Sequence, residues 1–227
     1  MIHSHYFISN KAGMPLDEFF TYWRKRHVRA VSEPVPQIRR YLQSHRIADV
    51  EGDAPYQGAA ESWYGSVDDM LAMRNSGAYP KMLADEQNFI DMSSTEFLLT
   101  EDRVIVDGER RPGMVKCVVL LKRKPGMTVA AFNQYWLEVH APAAAKFPAV
   151  RRYVQCPTVS IAYAIAEPKW DGCAHIWFDD VEAARQAASS EEYARVGKAD
   201  APNFIGQLTS FWAREHLVIW PKSSREG

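Results

Sequence analysis

The apolar positions of the chain follow two alternating periods. Residues 3–8 and 116–121 are short, mostly apolar runs of strand length. Each leads into a Gly-Met turn, GMP at 13–15 and GMT at 126–128, and then into a stretch where apolar residues return at helical spacing. Leu16, Phe19, Trp23 and His27 form the first such stripe, and Val129, Phe132, Trp136 and His140 the second. Positions i, i+3, i+7 and i+11 lie on one face of a helix, the face that packs on a sheet. Thr128 suits an N-cap, and Pro15 a first helical turn. Further strands are expected over 39–47, 59–64 and 103–106, and over 151–160, 174–178 and 217–220. Second helices are expected over 67–75 and 181–189.

These two halves are copies of each other. GMPLDEFFTYWRKRH (13–27) and GMTVAAFNQYWLEVH (126–140) share six of fifteen residues at a shift of 113, where average usage would give about one. IRRYLQ (38–43) matches VRRYVQ (150–155), ESWYGSVDDM (61–70) faces HIWFDDVEAA (175–184), NFI occurs at 88–90 and 203–205, and EDRVIV (101–106) faces EHLVIW (215–220). The five blocks keep their order. The chain is therefore a tandem duplication, with repeats over 1–110 and 111–227 and a turn-rich junction at 108–113. Each repeat reads βαββαβ, the split β-α-β ferredoxin-like plan of the α+β class. Such a sheet carries helices on one face only, and its bare face must be covered. The expected architecture is a pair of ferredoxin-like repeats closing into an intramolecular dimeric α/β barrel.

Composition narrows the function by exclusion. The chain has 227 residues, 27 basic and 28 acidic, for a formal net charge of −1. That balance argues against a nucleic-acid surface, which needs clustered positive charge. Arg24-Lys25-Arg26 and Lys122-Arg123-Lys124 read as solvated surface. The start has neither the basic segment nor the long apolar stretch of a secretory signal, and no window suits a membrane span. Cys117, Cys156 and Cys173 are odd in number and widely spaced, so reduced thiols in the cytoplasm are expected, without a structural zinc site. No phosphate-binding Gly-rich loop, GxSxG elbow or HExxH helix is present. The tail 221–227 is polar and expected to fray.

The blocks resemble the EthD-like family of the dimeric α/β-barrel superfamily. In the second copy the resemblance rests on RKPGMTVAAFNQYWLEVHAP (123–142), RRYVQ (151–155), HIWF (175–178) and NFIGQLTSF (203–211) running to Glu215. In the first it rests on GMPLDEFFTYWRKRH, RRYLQ, AESWY (60–64) and TEDRV (100–104). The NFIGQLTSF stretch is also similar to methylmuconolactone isomerases. The resemblance implies a cofactor-free pocket between sheet and helices, without fixing a substrate.

His140 and His27 end the apolar stripes and are the first candidates for proton transfer, because imidazole titrates near neutrality. A core histidine packing helix on sheet would show the same duplication. The Ala141-Pro142 pair is expected to stop or bend the second helix just past His140. On the third strands, Glu61 and His175 occupy equivalent places. A His140/His175 acid–base pair and a His27/Glu61 orienting pair are the expected constellations, against the alternative of polar rim residues. Tyr153 and Tyr41 are candidate donors to a substrate oxygen. Trp136, Trp177, Phe204 and Glu215 complete the candidate substrate contacts. His3 and His5 share a strand face but lack a third metal ligand, and Cys156 and Cys173 are expected beside the second pocket.

The expected function is a cofactor-independent lyase or isomerase. Its substrate would be a small oxygenated aromatic, lactone or polyketide-like compound, handled by histidine in the second repeat. No metal and no nucleic-acid or membrane partner are expected; the partners that remain are a small-molecule substrate and a second tandem chain in a homodimer. A haem-binding barrel protein and a non-catalytic small-molecule binder are the alternatives.

Overall fold

A computed structural model of the chain describes residues 1–29, 35–50, 52–147 and 149–220; the tail 221–227 lies outside the described residues. The chain forms two compact units. The first takes Met1–His45, Pro55–Leu99 and the strand residues from Glu215 onward; the second takes Arg46–Ala54 and Thr100–Arg214. Each unit thus includes a segment from the other half of the sequence.

In the first unit, β3 (Gly58–Tyr64) lies between β1 (Ile2–Ile8) and β2 (Ile38–Arg46), antiparallel to both. β4 (Glu96–Glu101) flanks β1, and β9 (Ile205–Ile219) neighbours β2, where the His216 ring lies 4.3 Å from that of His45. In the second unit, β6 (Val115–Arg123) lies between β8 (Gly172–Phe178) and β9; β7 (Arg152–Pro157) pairs with β8, and β5 (Arg103–Val106) pairs with β7. The closing strands differ from expectation here. Residues 103–106 close the first repeat in sequence but complete the second unit's sheet, and the end of β9 belongs to the first unit. The second copy's closing strand is also much longer than 217–220, beginning at Ile205. A run of alternating residues defines a strand but not its partner, so the exchange is silent in the pattern.

The helices are α1 (Leu16–Tyr22), α2 (Val67–Arg74), α3 (Tyr79–Glu86), α4 (Val129–Tyr135), α5 (Ala141–Ala144), α6 (Ser160–Ile165) and α7 (Val181–Ala188). Thr128 caps α4 by accepting the Ala131 N–H at 3.1 Å, whereas Pro15 is the N-cap of α1 and lies just outside it. Ser66 and Asp180 cap α2 and α7 in the same side-chain manner. Residues 160–165, the first of them expected at a strand end, form α6.

Both amphipathic helices share one irregularity. After α1 and α4 the chain widens into a π-helical segment, Trp23–His27 and Trp136–His140. In the second copy the Ala141 N–H reaches back to the Trp136 carbonyl, and Pro142 sits in the first turn of α5. The proline therefore does not end the helix at His140, because the wide turn lets the chain run on past it. In both copies a buried glutamine from the neighbouring strand donates to the tryptophan carbonyl: Gln43 Nε2 to Trp23 O at 3.2 Å and Gln155 Nε2 to Trp136 O at 2.8 Å. The same amides reach the hydroxyls of Tyr41 (3.2 Å) and Tyr153 (3.0 Å). Such π segments recur at functional sites.

The tryptophan rings, 1% exposed, press on a glycine at the start of the third strand. A Cβ on Gly172 would lie 2.8 Å from Trp136 Cζ3 and 2.8 Å from the Cys156 carbonyl oxygen; on Gly58 it would lie 2.7 Å from Trp23 Cζ3. Gly172→Ala should therefore destabilise the protein by about 1–3 kcal/mol through overpacking. The check is a lowered urea midpoint with an unchanged m-value.

Candidate active site

Each unit holds a cavity between its sheet and helices. In the second unit its volume is about 320 Å³. Its floor is the sheet face carrying Cys117, Val119, Leu121, Tyr153, Ala174 and Ile176, and its walls include Trp136, His140, Phe204 and Tyr193. The first unit's cavity is smaller, about 180 Å³, and more polar, with Ser4, Tyr6, Tyr41, Ser62, Tyr64, Arg74 and Glu86 among its lining.

At the second cavity, His140 and its partners form a chain of hydrogen bonds. His140 Nδ1 lies 2.8 Å from Asp200 Oδ2, while the Tyr135 hydroxyl donates to Asp200 Oδ1 at 2.7 Å and the Asn203 amide at 3.1 Å. Burial opposes ionisation of Asp200, but bonds from Tyr135, His140 and Asn203 outweigh it and hold the carboxyl below its usual range. A carboxylate accepting from Nδ1–H fixes the tautomer that leaves Nε2 as the acceptor. Phe204 packs against both rings, its centroid 5.1 Å from that of His140 and 5.1 Å from that of Tyr135. Tyr153, 2% exposed, has its pKa pushed up by burial to about 12, so it is a protonated donor at neutral pH. Burial likewise raises Cys117 to about 12, which makes it an inert thiol in the cavity wall.

The first unit repeats the chain. His27 Nδ1 lies 2.7 Å from Asp85 Oδ2, and the Tyr22 hydroxyl donates to Asp85 Oδ1 at 2.8 Å. Here burial lowers the His27 pKa despite the Asp85 hydrogen bond and charge. Burial raises Tyr41 to about 12. Glu86, 5% exposed, is raised by burial and then by the Asp85 charge to about 7.

The structure brings together His140, Tyr153, Trp136 and Phe204 at the second cavity, and His27 with Tyr41 at the first. It does not form the expected His140/His175 and His27/Glu61 pairs. Successive strand residues point to opposite faces, and the cavity takes Ala174, Ile176 and Phe178 of β8, or Ala60, Ser62 and Tyr64 of β3. His175, Trp177 and Glu61 are buried on the other face. There Glu61 accepts from Ser44 Oγ at 2.5 Å and lies 3.7 Å from His3 Nε2, supplying the third polar ligand that His3 and His5 lacked in sequence. Trp177 receives the cationic groups of Arg110 and Lys116 over its ring, 4.8 and 5.4 Å from the centroid. Cys156 and Cys173 also face away from the cavity, and Glu215 belongs to the first unit rather than the second cavity.

Asp85 and Asp200, with Tyr22 and Tyr135, are the residues the sequence reading missed. Their signal was present: ADEQNFI (84–90) and ADAPNFI (199–205) repeat the aspartate as well as the NFI block. No disulfide joins any of the three cysteines, and among the described residues no helix is long and apolar enough to cross a membrane.

A duplicated ferredoxin-like α+β chain with a carboxylate-anchored histidine beside each cavity defines the class. The EthD domain model matches residues 11–93 and 124–207, and the chain belongs to that family. An ethyl tert-butyl ether D (EthD) family protein from Bacillus halodurans C-125 is 30% identical over 45% of this chain and 99% of its own, with a TM-score of 0.39. An anthrone oxidase-like protein shares the fold at a TM-score of 0.66 and 8% identity, over 98% of this chain and 95% of its own. A mutant chlorite dismutase from Candidatus Nitrospira defluvii does so at 0.54 and 9%, over 92% and 91%. No curated protein matches.

Glu86 provides a test of the first unit's electrostatics. Its folded pKa of about 7 lies above the ordinary 4.5. Its contribution to stability is therefore full below pH 4.5 and is lost as pH rises through 7. Glu86→Gln should remove this loss, which is up to roughly 3 kcal/mol at 1.36 kcal/mol per unit. Denaturant midpoints compared between acid and neutral pH check it.

Proposed function

We propose that the second unit's cavity is the active site of a cofactor-independent isomerase or lyase for a small, largely apolar, oxygenated ring compound. The Tyr135–Asp200–His140 chain ending at a mostly apolar cavity carries this reading. A volume of about 320 Å³ is at the low end for ligand pockets, ~300–1,000 Å³. Apolar walls would exclude water and strengthen the few polar contacts inside.

In this reading His140 Nε2 removes a proton from carbon next to a carbonyl, and the electron pair moves onto that oxygen as an enolate. Tyr153 donates a hydrogen bond to the oxygen as charge develops. Asp200 stays ionised and stabilises the imidazolium. The reaction ends when the proton returns to a different carbon, which is isomerisation, or when the enolate expels a leaving group, which is elimination. The first unit's cavity serves as scaffold or as a second, more polar binding pocket.

The test is a panel of aromatic lactones and polyketide-like acids assayed for binding and product. His140→Ala should lower kcat about 10²–10⁴-fold and Tyr153→Phe about 10²–10³-fold, with thermal transitions near that of the parent. Equal loss of folding in His140→Ala would make the histidine structural. Binding without product would make the protein a carrier. Among the described residues lining the cavity there is no lysine or arginine to hold haem propionates. A Soret band after haem supplementation would nevertheless replace this reading with a haem protein.

A further inference from the structure

The second unit's sheet carries a separate cluster on the face away from its cavity. Cys156 and Cys173 are direct cross-strand partners between β7 and β8. His175 follows two residues after Cys173 and therefore shares its face. The cysteines are fully buried and His175 is 2% exposed. Cys173 Sγ lies 3.7 Å from His175 Nε2, and the three donor atoms lie within 4.8 Å of one another. With bonds of ~2.3 Å to sulfur and ~2.0–2.1 Å to nitrogen, a tetrahedral zinc ion separates such donors by roughly 3.6 Å. The Asp102 carboxylate is 3.4 Å from Cys156 Sγ, at the position between β4 and β5.

The first copy acts as an internal control. At the equivalent places it has Ser44, Ala59 and Glu61, with Ser44 and Ala59 cross-strand partners in the same register. There the fold is satisfied by a serine–glutamate hydrogen bond. Packing of this sheet thus requires neither two thiols nor an imidazole, and their joint appearance in the second copy calls for another reason.

We propose that Cys156, Cys173 and His175 bind a zinc ion, with Asp102 or a water as the fourth ligand. Two thiolates neutralise the divalent charge, and a neutral imidazole adds a borderline-soft donor, the combination zinc favours over oxygen-seeking cations. Zinc takes thiols as thiolates, so binding releases protons, and because the donors are buried it is linked to folding.

Reduced, metal-free protein titrated with Co²⁺ tests the site. One equivalent should give d–d bands of tetrahedral intensity and a thiolate-to-cobalt charge-transfer band, both displaced by Zn²⁺. Cys156→Ser/Cys173→Ala, which installs the first copy's residues, should lose the charge-transfer band while keeping a parent-like thermal transition. His175→Gln should shift the d–d bands and keep the charge transfer. Absence of the thiolate band in the parent protein overturns the proposal. So does its survival in the double variant, or cobalt binding through nitrogen and oxygen alone.

Discussion

The period of two along each strand is the constraint on which the functional architecture depends. It separates the residues of β3 and β8 into two sets with different chemistry. One set, with Tyr41 or Tyr153 from the neighbouring strand, lines a cavity under the helices. The other, Glu61 with His3 or His175 with the cysteines, is buried on the opposite face. A shift of one residue in register would exchange the two sets completely. Gly58 and Gly172 hold the start of these strands against a tryptophan ring, so the packing of the π-helical segment and the register meet at one point.

On the cavity side, the histidine is controlled through its far nitrogen. The aspartate that binds Nδ1 is itself bound by a tyrosine from the same helix as the histidine, so the imidazole is oriented from two directions. The two copies have then diverged around a common device. The first surrounds it with hydroxyls, a glutamate and an arginine; the second surrounds it with aromatic and aliphatic carbon. The same Tyr–Asp–His chain thus faces a different lining in each.

Much of this was legible in the sequence because it is periodic or repeated. The helical stripe placed Trp136 and His140 against the sheet, and the duplication gave the order of strands. Alternation places His175 on the face of Trp177, while the helix carrying His140 covers the face of Ala174 and Ile176, so the two histidines do not meet. The π-helical segments were not legible, since a tryptophan and histidine four residues apart also suit an α-helix. Asp200 lies 60 residues from His140 in a non-periodic stretch, where only comparison of the two copies exposes it. Strand partners were hidden for a related reason: β5 has the same pattern whichever sheet it joins.

The exchange of segments also sets the order in which the molecule can be completed. The first unit's own residues emerge early from the ribosome, but the strand residues from Glu215 onward are made only after the whole of Thr100–Arg214. Until then β2 lacks the neighbour that brings His216 against His45 and Trp220 against Trp63, leaving an open sheet edge. Long-range closure of this kind slows folding and prolongs exposure of the nascent chain. Duplication in tandem keeps the missing strand on the same polypeptide, where its effective concentration is fixed by the chain rather than by how much protein the cell contains.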